Sequence, residues 1–201
     1  NAGSGFIFQG DNGANIQAAI SGNALLNNNG QHAIQVGANN LSMVELAATN
    51  VNATGSGTDG LFFFATGNSL LSLNFDNVQL DNSGLTTGGN GILGINFDST
   101  VLAAFNNVTA NNNGGDGLSL LTVNGNNELR IIGGSFSNNG QFLANSAGIN
   151  IFATNASNVL LNVVGAPLNN DFSVPATQAD GLRISSNFAS LVTANLDGVD
   201  L

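Results

Sequence analysis

The side chains able to do acid–base or metal chemistry in this 201-residue chain are few: twelve Asp and Glu, two Arg, one His and no Cys. A lone His32 has no second imidazole with which to build a His-based metal site or triad. Arg130, between Leu129 and Ile131, and Arg183, between Leu182 and Ile184, alternate with apolar residues and read as outward strand positions. Carboxylates are the remaining option. Asp76 and Asp81, Asp197 and Asp200, and Asp98 are close enough along the chain or its repeats to pair, as glycoside hydrolysis requires. Asp116, in "GGDGLSL", raises the sharpest question: a turn residue ahead of a strand, or one member of a carboxylate column that holds Ca²⁺. Calcium wants six to eight oxygens, and the sequence has no "GGxGxD" array. The expectation is a corner residue, no catalytic constellation, no bound metal and no cofactor.

Composition sets the partners. Charged residues make up 7% of the chain and the net charge is −10, so phosphate is repelled and nucleic acid is a poor ligand. No run of about 18 apolar residues is present, so no membrane insertion is expected. Abundant Asn and Gly with scarce Lys suit an extracellular or cell-surface location. Four glycosylation sequons begin at Asn40, Asn52, Asn107 and Asn155, about what so much Asn, Ser and Thr produces by chance.

The elements that must position these groups recur. A motif Gly-φ-x-φ, φ being apolar, starts at 5, 60, 117, 148 and 181, with looser copies at 33 and 91, in steps of 26 to 33 residues. A second motif follows each copy: three alternate apolar residues, two polar turn residues and a further apolar one. It reads Val44, Leu46, Ala48, Val51; Leu71, Leu73, Phe75, Val78; and Val101, Ala103, Phe105, Val108. Later copies read Leu129, Ile131, Gly133, Phe136; Leu161, Val163, Gly165, Leu168; and Val192, Ala194, Leu196, Val199. A weaker first copy reads Ala18, Ile20, Gly22, Leu25. Period-2 alternation means strands with one buried face. A unit this short cannot bury that face alone, whereas stacked units bury a continuous core. The expectation is an all-β chain, one domain over 1–201: a β-solenoid of about seven rungs of 26–33 residues without obvious terminal caps. Paired turn residues such as "DN" at 76 then stack into columns whose Asn amides bond along the axis.

The stretches "NNNGQHAIQV", "NNNGGDGLSL" and "FSNNGQFLANSAGINI" resemble the right-handed parallel β-helix of pectate-lyase-like proteins and of many bacterial or archaeal surface proteins. The resemblance covers essentially the whole chain. It implies the fold but leaves function open between lyases, hydrolases, adhesins and spacers. Members that are enzymes place an Arg or Lys base beside Ca²⁺-binding carboxylates, or carry paired aspartates with "GHG" and "RIK". No Asp cluster flanks Arg130 or Arg183, and "GLRIS" at 181 matches poorly, so the chain is not expected to be an enzyme.

Two features point to assembly. Outward positions of the first strand form one column of Ile7, Gln35, Phe62, Leu93, Ser119, Asn150 and Arg183. A second holds Gln9, Gly37, Phe64, Ile95, Leu121, Phe152 and Ser185. At a rung spacing of ~4.8 Å, Phe62, Phe64, Leu93, Ile95, Leu121 and Phe152 make an apolar stripe, a candidate contact surface unless loops 84–90 or 140–147 fold over it. The two ends also match: "VDL" followed by "NAGSGFIF" reads as another rung junction, which makes Phe6, Phe8, Leu196, Val199 and Leu201 a candidate end-to-end junction. The expected partners are copies of the same chain. The expected role is an extracellular structural subunit of a filament or surface stalk. The alternative is a polysaccharide-binding or polysaccharide-degrading module, although the Tyr and Trp that usually stack on sugars are absent.

Overall fold

The computed structural model describes residues 2–143, 145–168 and 180–201, and contains no helix there. Fifteen strands follow one another: β1 (Phe6–Gly10), β2 (Asn15–Ile20), β3 (Ala24–Leu25), β4 (Ile34–Asn39), β5 (Met43–Asn52), β6 (Leu61–Thr66), β7 (Leu70–Gln79), β8 (Ile92–Phe97), β9 (Thr100–Asn106), β10 (Leu118–Val123), β11 (Asn126–Ile132), β12 (Ala147–Thr154), β13 (Asn158–Val164), β14 (Asp180–Ser186) and β15 (Leu191–Asp197). Sheet A stacks β1-β4-β6-β8-β10-β12-β14, and sheet B stacks β2-β5-β7-β9-β11-β13-β15 with β3 beside β5. Every pairing is parallel. The chain is a parallel β-solenoid in which each Gly-φ-x-φ copy supplies a rung of sheet A and each following copy a rung of sheet B.

Inward side chains of both sheets meet in one core. Phe63, Phe75, Phe105 and Phe136 are fully buried; Phe75 and Phe105 meet edge-on at 5.9 Å, a geometry that aromatic pairs favour. Each rung must turn three corners, and the backbone does so in the left-handed region. One corner column holds Asn12, Asn40, Asp98, Asn124 and Asn155; a second Asn50, Asn77 and Asn107; a third Asn28, Asn82, Asn112 and Asn138, all at φ between 50° and 57°. Asn tolerates this conformation because its short amide bonds locally, and Gly because it has no Cβ. The richness in Asn and Gly follows from that demand.

The alternate apolar residues of the sheet-B strands point inward as the spacing predicts, but Gly22, Gly133 and Gly165 fall at left-handed corners, and the register slips by two residues in three copies. Phe105 pairs with Ile131, not Gly133, and Ile131 in turn with Val163. Phe136 follows the column of Ala110, whose neighbour Thr109 bridges to Ser135. In the first copy Ile16 pairs with Val44 and Ala18 with Leu46. The turn there has an extra residue, with both Gly22 and Asn23 left-handed, so Ala24 rather than Leu25 opposes Val51. Leu25 is left 72% exposed.

An interior ladder explains why the two motifs travel together. Asn139 Oδ1 accepts the N–H of Asn113, and Asn113 Oδ1 accepts that of Ser83, at 3.1 and 2.8 Å. These amides lie where a strand-opening residue one rung away has no side chain. A Cβ on Gly91 would stand 2.7 Å from Asn113 Nδ2, one on Gly117 2.6 Å from Asn139 Nδ2, and one on Gly5 2.7 Å from Asn29 Nδ2. The Gly of Gly-φ-x-φ and the Asn of the "NNG" corner are therefore mates. In the rung that opens with Ala33, the facing ladder position is Ser56. Ser83 faces Gly60, yet its hydroxyl, like that of Ser56, is buried without a partner. Ser83→Asn is expected to extend the ladder and stabilise the fold by about 1 kcal/mol, raising Tm by ~2–4 °C. Ser56→Asn should lose about 1–3 kcal/mol by overpacking against Ala33 and recover when combined with Ala33→Gly. Thermal and urea melts followed by circular dichroism measure both.

Candidate functional site

Each strand of sheet A is entered through a corner whose column runs His32, Asp59, Asn90, Asp116, Ala147. Asp59 Oδ1 accepts the Asn90 backbone N–H at 2.7 Å and its Nδ2 at 3.2 Å. Asn90 Oδ1 accepts the Asp116 N–H at 2.8 Å. Asp116 Oδ1 accepts the Ala147 N–H at 2.7 Å, and its Oδ2 the Asn150 amide at 2.9 Å. Asp116 is a corner residue, and its carboxylate is spent on the next rung. His32 belongs to the same column: Nδ1 lies 3.1 Å from Asp59 Oδ2 and 3.0 Å from Thr58 Oγ1, and the ring stacks on Phe62 at 4.8 Å.

Of the acids suspected of pairing, Asp76, Asp98 and Asp197 each meet a non-acidic residue across the rungs. The strand register sets Asp76 between Thr49 and Asn106 and Asp197 beside Val164. Asp98 accepts the Asn124 amide at 2.5 Å. No group of three or more His, Asp or Glu able to hold a metal occurs among the described residues. Arg130 is exposed on β11. Arg183, expected simply to face solvent, instead folds back on Asp180, donating from Nε and Nη2 at 2.8 and 2.7 Å. Of the sequon residues, Asn40 and Asn52 donate their amides to Asp11 and Gln79, while Asn107 and Asn155 are exposed at left-handed corners.

The stripe residues stand on the outer face of sheet A in two adjacent columns. Phe62 pairs with Leu93 and Phe64 with Ile95, Ile95 with Leu121, and Leu121 with Phe152. Five are half-buried and Phe152 is exposed. Phe62 packs on Phe64 at 5.6 Å, and the Phe64 ring covers the bare Cα of Gly37, where a Cβ would sit 2.2 Å from the ring. Loops 84–90 and 140–147, of which Ala144 lies outside the described residues, pack on each other through Gly88 and Leu143. On this face the outward residues of rungs two to six include no charge: Phe97 and Val123 continue the apolar surface in a third column.

The junction residues lie at opposite ends of the solenoid. Phe6 and Phe8 point inward from β1 and Leu196 from β15, with Val199 and Leu201 after it. Their internal counterparts Val36, Phe63 and Phe75 are fully buried, yet Phe6, Phe8 and Val199 are only half-buried, Leu196 is 41% exposed and Leu201 63%. Among the described residues, both end rungs present core side chains and a strand edge with no partner strand.

A feature the sequence reading missed is a run of shallow hollows on the outer face of sheet B. Hollows of about 570, 250 and 410 Å³ share Ser72 and Asn74, then Leu102 and Glu128, and so adjoin from Gln17 to Thr193. Glu45 and Glu128, the only glutamates of the chain, both stand in it three rungs apart, and Arg130, in the column next to Glu128, has no ion pair among the described residues. Following the outward sheet-B column rung by rung would have aligned them. Fold and face geometry thus define a parallel β-solenoid; the chain matches no protein-family model, no curated protein and no solved structure.

One carboxylate is perturbed. Asp81 is half-buried at another corner; burial pushes its carboxyl above the ordinary value of 3.8, against hydrogen bonds from the Asn111 N–H and the Thr109 hydroxyl, which pull it down. The native state therefore holds this proton more tightly than the unfolded chain. Stability falls as pH rises from the ordinary value through the raised one. Asn27 and Asn111 accept equivalent backbone N–H groups with amide oxygens, so Asp81→Asn keeps the ladder without the charge. The variant should equal the parent in acid and exceed it at neutral pH, as urea midpoints across pH 3–7 would register.

Proposed function

We propose that the protein is an extracellular structural solenoid whose end rungs are covered by further rungs, copy upon copy, in a filament or surface stalk. The observation that carries this reading is the pair of open end faces. One presents Phe6 and Phe8 with Ile16, Ala18 and Ile20; the other presents Leu182 and Ile184 with Val192, Ala194 and Leu196. Parallel strands accept another strand at either edge, and unpaired edges invite it. Stacked in register, β14 of one copy would pair with β1 of the next and β15 with β2, which continues both sheets and the core. The fate of the acidic groups supports the same role: Asp59, Asp81 and Asp116 hold neighbouring rungs together and are not set around a reaction centre.

A second reading takes the sheet-B hollows as a glycan groove. Its support is the alignment of Glu45 and Glu128 in one outward column of hollows that crosses the rungs, with Arg130 in the adjacent column, although no aromatic residue lines them. In that case Glu128→Gln should weaken binding of an extended oligosaccharide roughly tenfold with no change in Tm, measured by titration calorimetry.

For the structural reading, negative-stain electron microscopy over a concentration series is decisive. Fibres with an axial repeat of ~34 Å, seven rungs at the strand spacing, are expected with and without chelator. Monomers at every concentration would sink the filament.

A further inference from the structure

We propose that the outer face of sheet A is a second self-association surface, through which two copies pack side by side, sheet against sheet. The inference rests on the structural reading above but concerns a different face. In a chain of net charge −10, two copies repel wherever acidic groups face each other, and most surfaces carry them. Corners hold Asp11, Asp76 and Asp98, and sheet B holds Glu45 and Glu128. Sheet A is the exception: its one outward charge, Arg183, sits on the last rung and is neutralised by Asp180. Like-charged copies meet at lowest electrostatic cost there.

Shape and area agree. The face is a stack of seven parallel strands, ~34 Å along the axis and ~20 Å along the strands, or about 680 Å² for each copy. A standard interface buries about 800 Å² for each partner, so a contact spanning the full length of one copy reaches the lower part of that range. The apolar centre, Phe64, Leu93, Ile95 and Leu121, is flanked by small or polar positions at Gly37, Ser119 and Gln35. That is the arrangement of an interface core with a polar rim. A two-fold contact uses the same patch on both copies. It is modest for one pair and strong for two filaments, where it repeats with every subunit.

The test is sedimentation velocity with electron microscopy on the parent chain, on the end-blocked variant Leu196→Asp, and on Leu121→Lys. The proposal expects Leu196→Asp to abolish fibres yet still dimerise. It expects Leu121→Lys to weaken that dimer roughly 30-fold or more and to leave fibres of single width. Mixing Leu121→Lys with Leu121→Glu in the end-blocked background should restore dimers, which a merely destabilised fold would not do. Should Leu121→Lys lose its β circular-dichroism signal, Ser119→Lys tests the same face at a position that is already polar. Dimers without fibres support this proposal and overturn end-to-end stacking. Fibres of single width with an end-blocked form that stays monomeric overturn this proposal and leave stacking intact.

Discussion

Everything in this molecule follows from one constraint: in a parallel stack each residue lies ~4.8 Å from its own equivalents in the rungs above and below. A side chain is therefore acceptable only if it tolerates a neighbour in its own position. Apolar groups do, and make the core. Asn does, because its amide is donor and acceptor at once, as in the Asn77 to Asn50 bond of 2.6 Å. A carboxylate does not: two charges at that spacing repel by about 1 kcal/mol even in bulk water, and by more near protein. The charged content of 7% is a consequence of stacking.

The placement of the acids obeys the same rule. Along the corner column Asp59 and Asp116 are separated by Asn90, which accepts from one side and donates to the other. Their spacing becomes two rungs, ~9.6 Å, close to the screening length at physiological salt. Asp98 is bonded to Asn124, and Asp76 lies beside Asn106. No described carboxylate is stacked directly on another. This is why acids close in sequence fail to make catalytic pairs: the geometry that brings equivalent positions together is one the fold must keep free of paired charge.

The same constraint decides what could be read from the sequence. Inward and outward phase was legible along most strands, since period-2 alternation survives any even slip; it failed at Leu25, where the extra corner residue makes the slip odd. Register was legible in sheet A, where the strand-opening residue marks each copy and the outward columns fall as the spacing predicts. In sheet B it slipped in three copies, and in the copy that forms β11 the reason is a missing marker. Asn127 occupies the apolar column between Val101 and Val159, held by Asn96 Nδ2 at 3.0 Å and bonded to Thr122 at 2.6 Å. A polar residue at a core position looks like the edge of a strand, so the motif was begun two residues late. The pairing of Gly91 with Asn113 was hidden for another reason: the two residues are remote in register along the chain and meet only across the stack.

Function was the least legible part, and the faces show why. The ladder governs corners and core, but it leaves outward strand positions almost free. Sheet B shows that freedom: one outward column runs Gln17, Glu45, Ser72, Leu102, Glu128, Leu160, Thr193, mixing charge, polarity and bulk with no penalty to the fold. Sheet A, built on the same scaffold under the same stacking rule, keeps four successive rungs apolar from Phe64 to Phe152. Stacking does not require that choice, although Phe64 also steadies the sheet by packing on Phe62 and over Gly37. At the two end rungs core side chains such as Phe6, Phe8 and Leu196 are partly exposed because no described rung lies beyond them. The apolar face of sheet A is thus the surface on which the proposal of side-by-side packing rests.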